Sequence, residues 1–267
     1  MRKTIAFLGV GNMGSAVLGG MLDAGVYPPE NVVLCDRMED KCLPFLQRGC
    51  TFTPSPAQAV QTADTILLAV KPQQLGELFE EIAPFCEDRL ILSIAAGVTI
   101  ARIRQALPGA SVIRIMPNTP LLVGCGVSAL CRDDSVSDED YALANRIFSA
   151  SGTVVSVREE QINPITALTS SSIAYFARFI GDMCAWAREN GFNDDEETLR
   201  MVCESAIGAS RLLTETSFDP LSLERAVTSP GGTTERAMTV FTDRELSRTV
   251  AEAMDACRKR ADELSGC

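Results

Sequence analysis

Residues 4–24 read TIAFLGVGNMGSAVLGGMLDA, and this stretch decides the fold. It passes from a short apolar run, typical of a buried β-strand, through three glycines into a helical segment. In a G-x-G-x-x-G turn the first glycine makes the bend, the second admits a pyrophosphate, and the third lets the helix pack closely on the strand. The stretch therefore predicts a dinucleotide-binding turn, and the expected cofactor-binding residues in it are Gly9, Gly11, Asn12, Met13 and Gly14.

The same alternation of apolar strands and helical segments continues to about residue 157. Near-continuous Val, Ile and Leu runs are what strands buried on both faces of a parallel sheet require. The pattern predicts an α/β fold with an N-terminal Rossmann-type doubly wound sheet. The predicted strands are residues 4–9, 31–35, 65–70, 89–94, 111–116, 127–131 and 153–157.

After residue 157 the strand pattern ends, and apolar residues recur at helical spacing. We expect two domains, a dinucleotide-binding domain over residues 1–157 and an all-helical domain, a candidate for dimerisation, over residues 158–267. Each apolar stripe is expected to lie in a core, which either one chain or an intertwined homodimer or higher homo-oligomer would supply. The stripes are Phe176, Ile180, Met183 and Ala187; Leu199, Val202, Ala206, Ala209 and Leu213; and Val250, Met254, Cys257, Ala261 and Leu264.

The composition excludes several classes of function. The 267 residues carry 24 Lys and Arg against 35 Asp and Glu, a net charge of -11, which argues against binding nucleic acid or an anionic membrane. No apolar run is long enough to span a bilayer. Because the sequence contains no histidine, a histidine base, a Ser-His-Asp triad and an imidazole-bound metal are excluded for this chain acting alone.

The ten cysteines are scattered, without a C-x-x-C pair or the spacing of metal ligands. We expect reduced, mostly buried thiols, no bound metal and a cytoplasmic location. Residues 1–3, MRK, precede an apolar run in the manner of a signal peptide, but the run leads straight into glycines without a cleavage site. We therefore interpret it as the first strand.

The second predicted strand ends in Asp36 and Arg37, about where a Rossmann domain binds the ribose of its cofactor. An acid there accepts hydrogen bonds from the 2′-hydroxyl of NAD, whereas an arginine can meet the 2′-phosphate of NADP. A solvated surface charge is the alternative for Arg37. These two residues leave both NADP(H) and NAD(H) open as the expected cofactor.

Two further loops follow strands at the edge of the sheet where a nicotinamide cofactor needs walls. They are residues 69–73, AVKPQ, and residues 116–120, MPNTP, and in each a proline delays the next helix. Both could be no more than stiff turns, but we favour cofactor contact. The residues assigned to it are Val70, Lys71, Pro72 and Asn118.

Residues 227–234, VTSPGGTT, predict an anion-binding loop. Two adjacent glycines let the backbone approach a ligand closely, and the first N–H groups of a following helix lack internal partners. The alternative is a plain turn with a capping threonine. The residues expected to bind the anion are Ser229, Gly231, Gly232, Thr233 and Thr234.

Taken in order, the glycine turn, residues 69–73, 95–98, 116–120 and 227–234 resemble the pyrroline-5-carboxylate reductase family. The resemblance runs along essentially the whole chain. It implies reduction of 1-pyrroline-5-carboxylate to L-proline with NADPH or NADH, and a helical domain that dimerises. It also implies that residues 229–234 hold the substrate carboxylate, often in a site shared between subunits. It assigns Ala95 and Ala96 to the cofactor site, and Thr234 and Ser171 to catalysis.

The implied chemistry agrees with the composition. Reduction of a cyclic imine needs hydride placed about 3–3.5 Å from the imine carbon, which is chiefly a positioning task. A protonated imine is already an electrophile, so no strong acid is required. The β-hydroxyacid dehydrogenases instead use a lysine on the first long helix of their second domain. Because the four lysines of this chain, Lys3, Lys41, Lys71 and Lys259, lie elsewhere, that alternative is weak.

One segment departs from the family. Where the family carries Gly-Ser-Gly-Pro-Ala-Tyr, this sequence has SSSIAY at residues 170–175, and a family glutamate shortly afterwards is missing. Added side-chain atoms at former glycines narrow a pocket, and Ser171 either contacts the ligand or lines a helix contact. Two alternatives to the reductase therefore stay open: a reductase of another small cyclic imine acid, and a non-catalytic NAD(P)-binding paralogue.

Overall fold

The structure, a computed structural model, describes residues 2–266. The described chain forms two compact units. The first comprises the chain through Ser170 together with the segment from Cys257, and the second comprises Ser171–Ala256. This division lies a short helical segment beyond residue 157, and the domain boundary at that residue stays a prediction.

The first unit contains one sheet in the strand order β3-β2-β1-β4-β5-β6-β7-β8. All neighbouring strands are parallel except β6 and β7. The order reverses between β1 and β4, so the doubly wound Rossmann-type sheet expected from the sequence is confirmed. The strands are β1 Ile5–Leu8, β2 Val32–Cys35, β3 Thr51–Phe52, β4 Thr65–Leu68, β5 Leu90–Ser93, β6 Ser111–Pro117, β7 Gly126–Arg132 and β8 Gly152–Ser156.

The structure departs from the predicted sheet in three places. The two-residue strand β3 is not among the predicted strands, because so short a segment shows no periodicity. Strand β7 runs antiparallel to β6 rather than parallel. Strand β8 is only partly buried, because it lies at the edge of the sheet.

Helices cover both faces of the sheet and bury its apolar side chains. On one face the core includes Ile66 and Ile91 with residues of α3, α4 and α5; on the other, Phe7 and Leu67 pack with residues of α1 and α6. The helices are α1 Asn12–Asp23, α2 Leu43–Leu46, α3 Pro56–Gln61, α4 Leu75–Ile82, α5 Ile100–Ala106, α6 Asp138–Ser149, α7 Ile162–Ile165, α8 Ser172–Glu189, α9 Asp195–Glu215, α10 Pro220–Ala226, α11 Thr233–Asp243 and α12 Leu246–Ser265.

The second unit consists of helices, and much of its apolar surface is not covered within one chain. Phe176 is 65% exposed, Leu199 49% and Val250 48%, one from each predicted stripe. The expectation that these stripes lie in a core is wrong for the chain by itself. The exposure of these side chains leaves the other possibility stated from the sequence, that a second copy of the chain covers the stripes.

Within residues 2–266, no helix is both long and apolar enough to cross a membrane. Over the same range, no three or more His, Cys, Asp or Glu side chains come together in a group suited to a metal ion.

Candidate functional site

A cavity of about 640 Å³ opens at the carboxyl ends of β1, β2 and β4. It lies where the strand order reverses, which is the usual ligand-binding edge of an open α/β sheet. Its walls come from the β1–α1 turn, the end of β2, the segment before α3, the β4–α4 loop and one face of α4. The lining residues are Leu8, Gly9, Gly11, Cys35, Asp36, Arg37, Met38, Lys41, Pro54, Pro56, Ala69, Val70, Lys71, Gln74, Glu77, Leu78 and Glu81.

The glycine turn has the close approaches that the sequence predicts. Gly9 adopts φ +102°, and a Cβ atom there would lie 2.8 Å from the backbone carbon of Ala69. A Cβ atom on Gly14 would lie 2.4 Å from the carbonyl oxygen of Gly9. Because real Cβ atoms never approach backbone so closely, these two positions accept only glycine and bring α1 against the strand ends.

Gly11 differs from both neighbours in the motif. It is the N-cap of α1, with φ −77° and ψ −174°, and a Cβ atom there would meet nothing within 4 Å. Gly11 is one of the residues that line the cavity. Among residues 2–266 no side chain caps this helix end, so its first N–H groups and its dipole are available to an anion.

Asp36 supports the glycine turn from the end of β2. Its Oδ2 accepts a hydrogen bond from the backbone N–H of Val10 at 2.8 Å, and its Oδ1 accepts one from Met38 at 2.9 Å. Nζ of Lys41 lies 3.8 Å from Oδ1. An ionised carboxylate has about four acceptor positions, so these contacts leave capacity for a ribose hydroxyl.

The outer part of the cavity carries charges of both signs. Nη2 of Arg37 lies 3.7 Å from Oε2 of Glu77 on α4, and both side chains are largely exposed. Lys41 and Glu81 line the same space. Exposed ion pairs contribute little to stability, so Arg37 can exchange Glu77 for an anionic ligand group at small cost.

One cavity wall was not foreseen from the sequence. Gln74 precedes α4, and with Glu77, Leu78 and Glu81 it follows the spacing of a single helix face. That spacing is visible in the sequence, but a polar helix face is typically interpreted as solvated surface. Cys35, also unforeseen, ends β2 in the cavity, and burial raises the pKa of its thiol to about 11, so the thiol is neutral at pH 7.

Comparison with known proteins decides the family. The model of the pyrroline-5-carboxylate reductase dimerisation domain matches residues 159–264, and that of the coenzyme F420-dependent NADP oxidoreductases matches residues 4–97. A pyrroline-5-carboxylate reductase from Haemophilus influenzae is 36% identical to this chain, covering 98% of it and 97% of the relative. This chain belongs to the pyrroline-5-carboxylate reductase family.

Solved structures of the family have the same fold. A pyrroline-5-carboxylate reductase from Coxiella burnetii superposes with a TM-score of 0.91 at 33% identity, covering 98% of each chain. Pyrroline carboxylate reductase from Plasmodium falciparum, solved with NADP bound, superposes with a TM-score of 0.90 over 98% of each chain. At 24% identity the second match bears on the fold alone. The match to the family's dimerisation domain supports self-association.

The structure brings six of the predicted cofactor residues to the cavity: Gly9, Gly11, Asp36, Arg37, Val70 and Lys71. The other predicted residues, Asn12, Met13, Gly14, Pro72, Ala95, Ala96 and Asn118, do not line it. Asn12 and Met13 begin α1, and Pro72 begins the 3₁₀ turn before α4. Ala95 and Ala96 follow β5 at the same edge of the sheet. For both groups of residues, contact with the cofactor stays a prediction.

The structure shows a bracing role for Asn118. Its side chain is buried; Oδ1 accepts from the N–H of Val127 at 2.7 Å, and Nδ2 donates to the carbonyl of Thr169 at 3.0 Å. Thr169 lies in a π-helical turn, Thr166–Ser170. Such turns free backbone carbonyls from the helical pattern and are frequent at functional sites. Asn118 therefore ties the loop after β6 to this turn.

The departing serine segment directly follows the π-helical turn. Oγ of Ser170 donates to the carbonyl of Pro117 at 3.3 Å, a bond that a glycine cannot make. Ser171 precedes α8 and is half-buried, and Ser172 is buried at the start of α8. The serine at 170 thus has a structural account, since it fastens the segment to the 116–120 loop.

In the second unit, residues 229–234 form the predicted loop before α11. Gly231 adopts φ +72°, and Gly232 is the N-cap of α11. Oε2 of Glu235 accepts from the N–H of Gly231 at 2.9 Å, so a carboxylate already occupies one donor of this loop. Helix α11 starts at Thr233, and no side chain in the described part of the chain caps it. The geometry suits an anion, and binding of substrate by these residues stays a prediction.

Proposed function

We propose that this protein reduces 1-pyrroline-5-carboxylate to L-proline, with NADPH as the hydride donor. The observation that carries the proposal is the uncapped N-terminus of α1, which opens at Gly11 into the cavity where the strand order reverses. This arrangement suits the pyrophosphate of a dinucleotide. Membership of the family, with matches over nearly the whole chain, supports the substrate.

In this proposal, different residues bind different parts of the dinucleotide. Gly11 and the first turn of α1 bind the pyrophosphate, and Asp36 and Arg37 bind the adenosine ribose with its 2′-phosphate. Val70, Lys71 and Pro72 wall the cofactor beyond β4, and Ala95, Ala96 and Asn118 stand at the ends of β5 and β6. NADH lacks the 2′-phosphate, so it is the weaker donor in this proposal.

The substrate carboxylate binds to the loop before α11. Backbone N–H groups of Gly231 and Thr233 and the hydroxyls of Ser229 and Thr234 offer donors there, and the helix dipole favours the anion. The N–H of Gly232 donates to the carbonyl of Ser229 at 2.9 Å, so Gly232 contributes a close backbone approach. To bind at Gly231, the substrate displaces the carboxylate of Glu235. Ser171 and Thr234 hold the imine in place for hydride transfer, which needs positioning rather than a strong acid.

The active form is a homodimer or a higher homo-oligomer. The exposed apolar side chains of α8, α9 and α12 are the surface that a second copy covers. The nine cysteines within the described range are all free thiols, as in proteins of the reducing cytoplasm, where we place this enzyme.

Steady-state oxidation of NADPH at 340 nm with pyrroline-5-carboxylate, together with detection of proline, tests the proposal. Turnover with proline as product is the expected result. NADPH binding without turnover would reject the reductase activity and favour the non-catalytic paralogue.

A second candidate follows from residues 170–172. Ser170 and Ser172 add bulk and hydroxyl groups where the family resemblance gives glycines, so the pocket could favour a different small cyclic imine acid. Kinetics with imine acids of different ring size decide between the two. A higher kcat/KM for one of these than for pyrroline-5-carboxylate would identify the second candidate.

A further inference from the structure

Arg114 is a charged side chain buried in the middle of the sheet. It lies on β6, opposite Ser93 of β5 and Cys131 of β7, and its side chain is 4% exposed. Its Nη1 donates to Oε1 of Glu159 at 3.0 Å, and its Nη2 has no hydrogen-bond partner among residues 2–266. Burying a charge costs desolvation free energy, and a charged partner offsets this cost only where it is well placed.

Glu159 makes a second bond with the same oxygen. Its Oε1 accepts from the backbone N–H of Ile100 at 2.8 Å, and Ile100 is the first residue of α5. The carboxylate thus lies at the positive end of this helix, which favours the contact. One carboxylate oxygen therefore links β6, the segment after β8 and the start of α5.

The loop fixed by this link is residues 94–99, between β5 and α5. Its other end is held where the N–H of Ile94 donates to Leu68 of β4 at 3.1 Å, directly before the cavity-lining Ala69 and Val70. At its middle, Gly97 adopts φ +73°, and a Cβ atom there would lie 3.1 Å from the carbonyl oxygen of Leu264. The loop follows a parallel strand at the cofactor edge of the sheet, and it contains Ala95 and Ala96.

We infer that Glu159 is a positioning residue for the reduction, acting through the N–H of Ile100 to set the loop that walls the nicotinamide. Arg114 holds the carboxylate in place and offsets its charge. The inference rests on the proposed function, since it assigns the loop to the bound cofactor. A small displacement of this wall would misplace the nicotinamide, and such errors are costly to hydride transfer.

Two double variants test the inference, Arg114→Met/Glu159→Gln and Arg114→Met/Glu159→Leu. Both remove the ion pair of the buried Arg114 with the half-buried Glu159 and fill similar volumes, and replacing a buried charge together with its partner is often tolerated. They differ in the acceptor oxygen for Ile100, which only the glutamine variant keeps. Glu160→Gln is the control for charge, because Glu160 lies in the same segment in an exposed ion pair with Arg158.

The measurements are kcat per active site, the NADPH Kd from its fluorescence, and the melting temperature. We expect the Leu double variant to lose at least tenfold in kcat and to bind NADPH several-fold more weakly. The Gln double variant is expected within about threefold of wild type in both, and Glu160→Gln within twofold. A merely structural role would instead shift the melting temperatures and leave the two double variants equal in kcat and Kd, and that equality would overturn the inference.

The NADPH Kd measurements test this inference separately from the proposed function. If the wild-type protein binds NADPH but does not reduce pyrroline-5-carboxylate, the proposed activity fails. The ratio of the two double variants' Kd values then still decides whether Glu159 positions a cofactor wall: a ratio of several-fold supports it, and a ratio near one contradicts it.

Discussion

Replacement of Gly11 by alanine should weaken cofactor binding while leaving the fold intact. The new methyl group meets no atom of residues 2–266 within 4 Å, and Gly11 lines the cavity assigned to the dinucleotide. Gly11 has negative φ, so alanine adopts its conformation without strain. Loss of the preferred N-cap and gain from a stiffer unfolded chain nearly cancel, so the unfolding free energy should change by less than about 1 kcal/mol.

The cost to the cofactor follows from the contact that is lost. Moving the pyrophosphate away from the end of α1 removes about one charge-assisted hydrogen bond, worth about 1.5–3 kcal/mol. The Kd for NADPH should therefore rise about 10- to 150-fold. For a chain of this size the melting temperature should stay within about 2–4 °C of wild type.

Fluorescence titration with NADPH and thermal melts of three variants make the test. Gly19→Ala is the matched control, because Gly19 lies within α1, lines no part of the cavity and also has free space around it. Its Kd should be unchanged. Gly14→Ala should instead lose stability, since its Cβ atom would meet the Gly9 carbonyl. If Gly11→Ala binds NADPH within twofold of Gly19→Ala, the pyrophosphate does not lie at Gly11 and the reasoning is refuted.

Three further predictions concern other parts of the molecule. Thr234→Ala should raise the KM of the imine by about 5- to 150-fold, for a lost bond of about 1–3 kcal/mol, with little effect on the KM of NADPH; equal effects on both would place the loop outside the substrate site. Arg37→Ala should raise the KM of NADPH several-fold more than that of NADH, a difference that added salt should reduce, and identical changes for both cofactors would remove Arg37 from the 2′-phosphate site. Hydrogen bonds from the backbone N–H of Lys3, with those of Thr4, lower the pKa of Asp64, so its stabilising effect is present above about pH 4 and is lost as the pH falls through the lowered value. Melts of Asp64→Asn should lie below wild type at pH 7 and converge with it in acid, whereas a constant gap would contradict this origin.

The part of the fold that could be predicted is the part governed by local rules. Gly9 and Gly14 have the close approaches that a dinucleotide turn demands, and seven of the eight strands fall where apolar runs lie. The direction of β7 was missed, although residues 118–125 are a shorter connection than the dozen residues or so that a parallel crossover needs. An apolar run has the same pattern in a parallel and in an antiparallel strand. The direction of β7 could therefore be inferred only from the length of the connection before it.

The site was predicted in part for a similar reason. Sequence motifs identified the turns at strand ends, such as Gly11 and Lys71, because each motif is continuous in the chain. The α4 face with Glu77 was not predicted, since nothing local distinguishes a polar face that lines a cavity from one that faces solvent. The stripe containing Phe176 indicates that a face is covered, but not whether the same chain or a second copy covers it.

The most direct test of the central claim is the reaction itself. Purified protein with NADPH and pyrroline-5-carboxylate should oxidise NADPH and form an equal amount of proline, measured by absorbance at 340 nm and by amino-acid analysis of the same sample. Binding of NADPH that Gly11→Ala weakens, without formation of proline by the wild-type protein, would contradict the account.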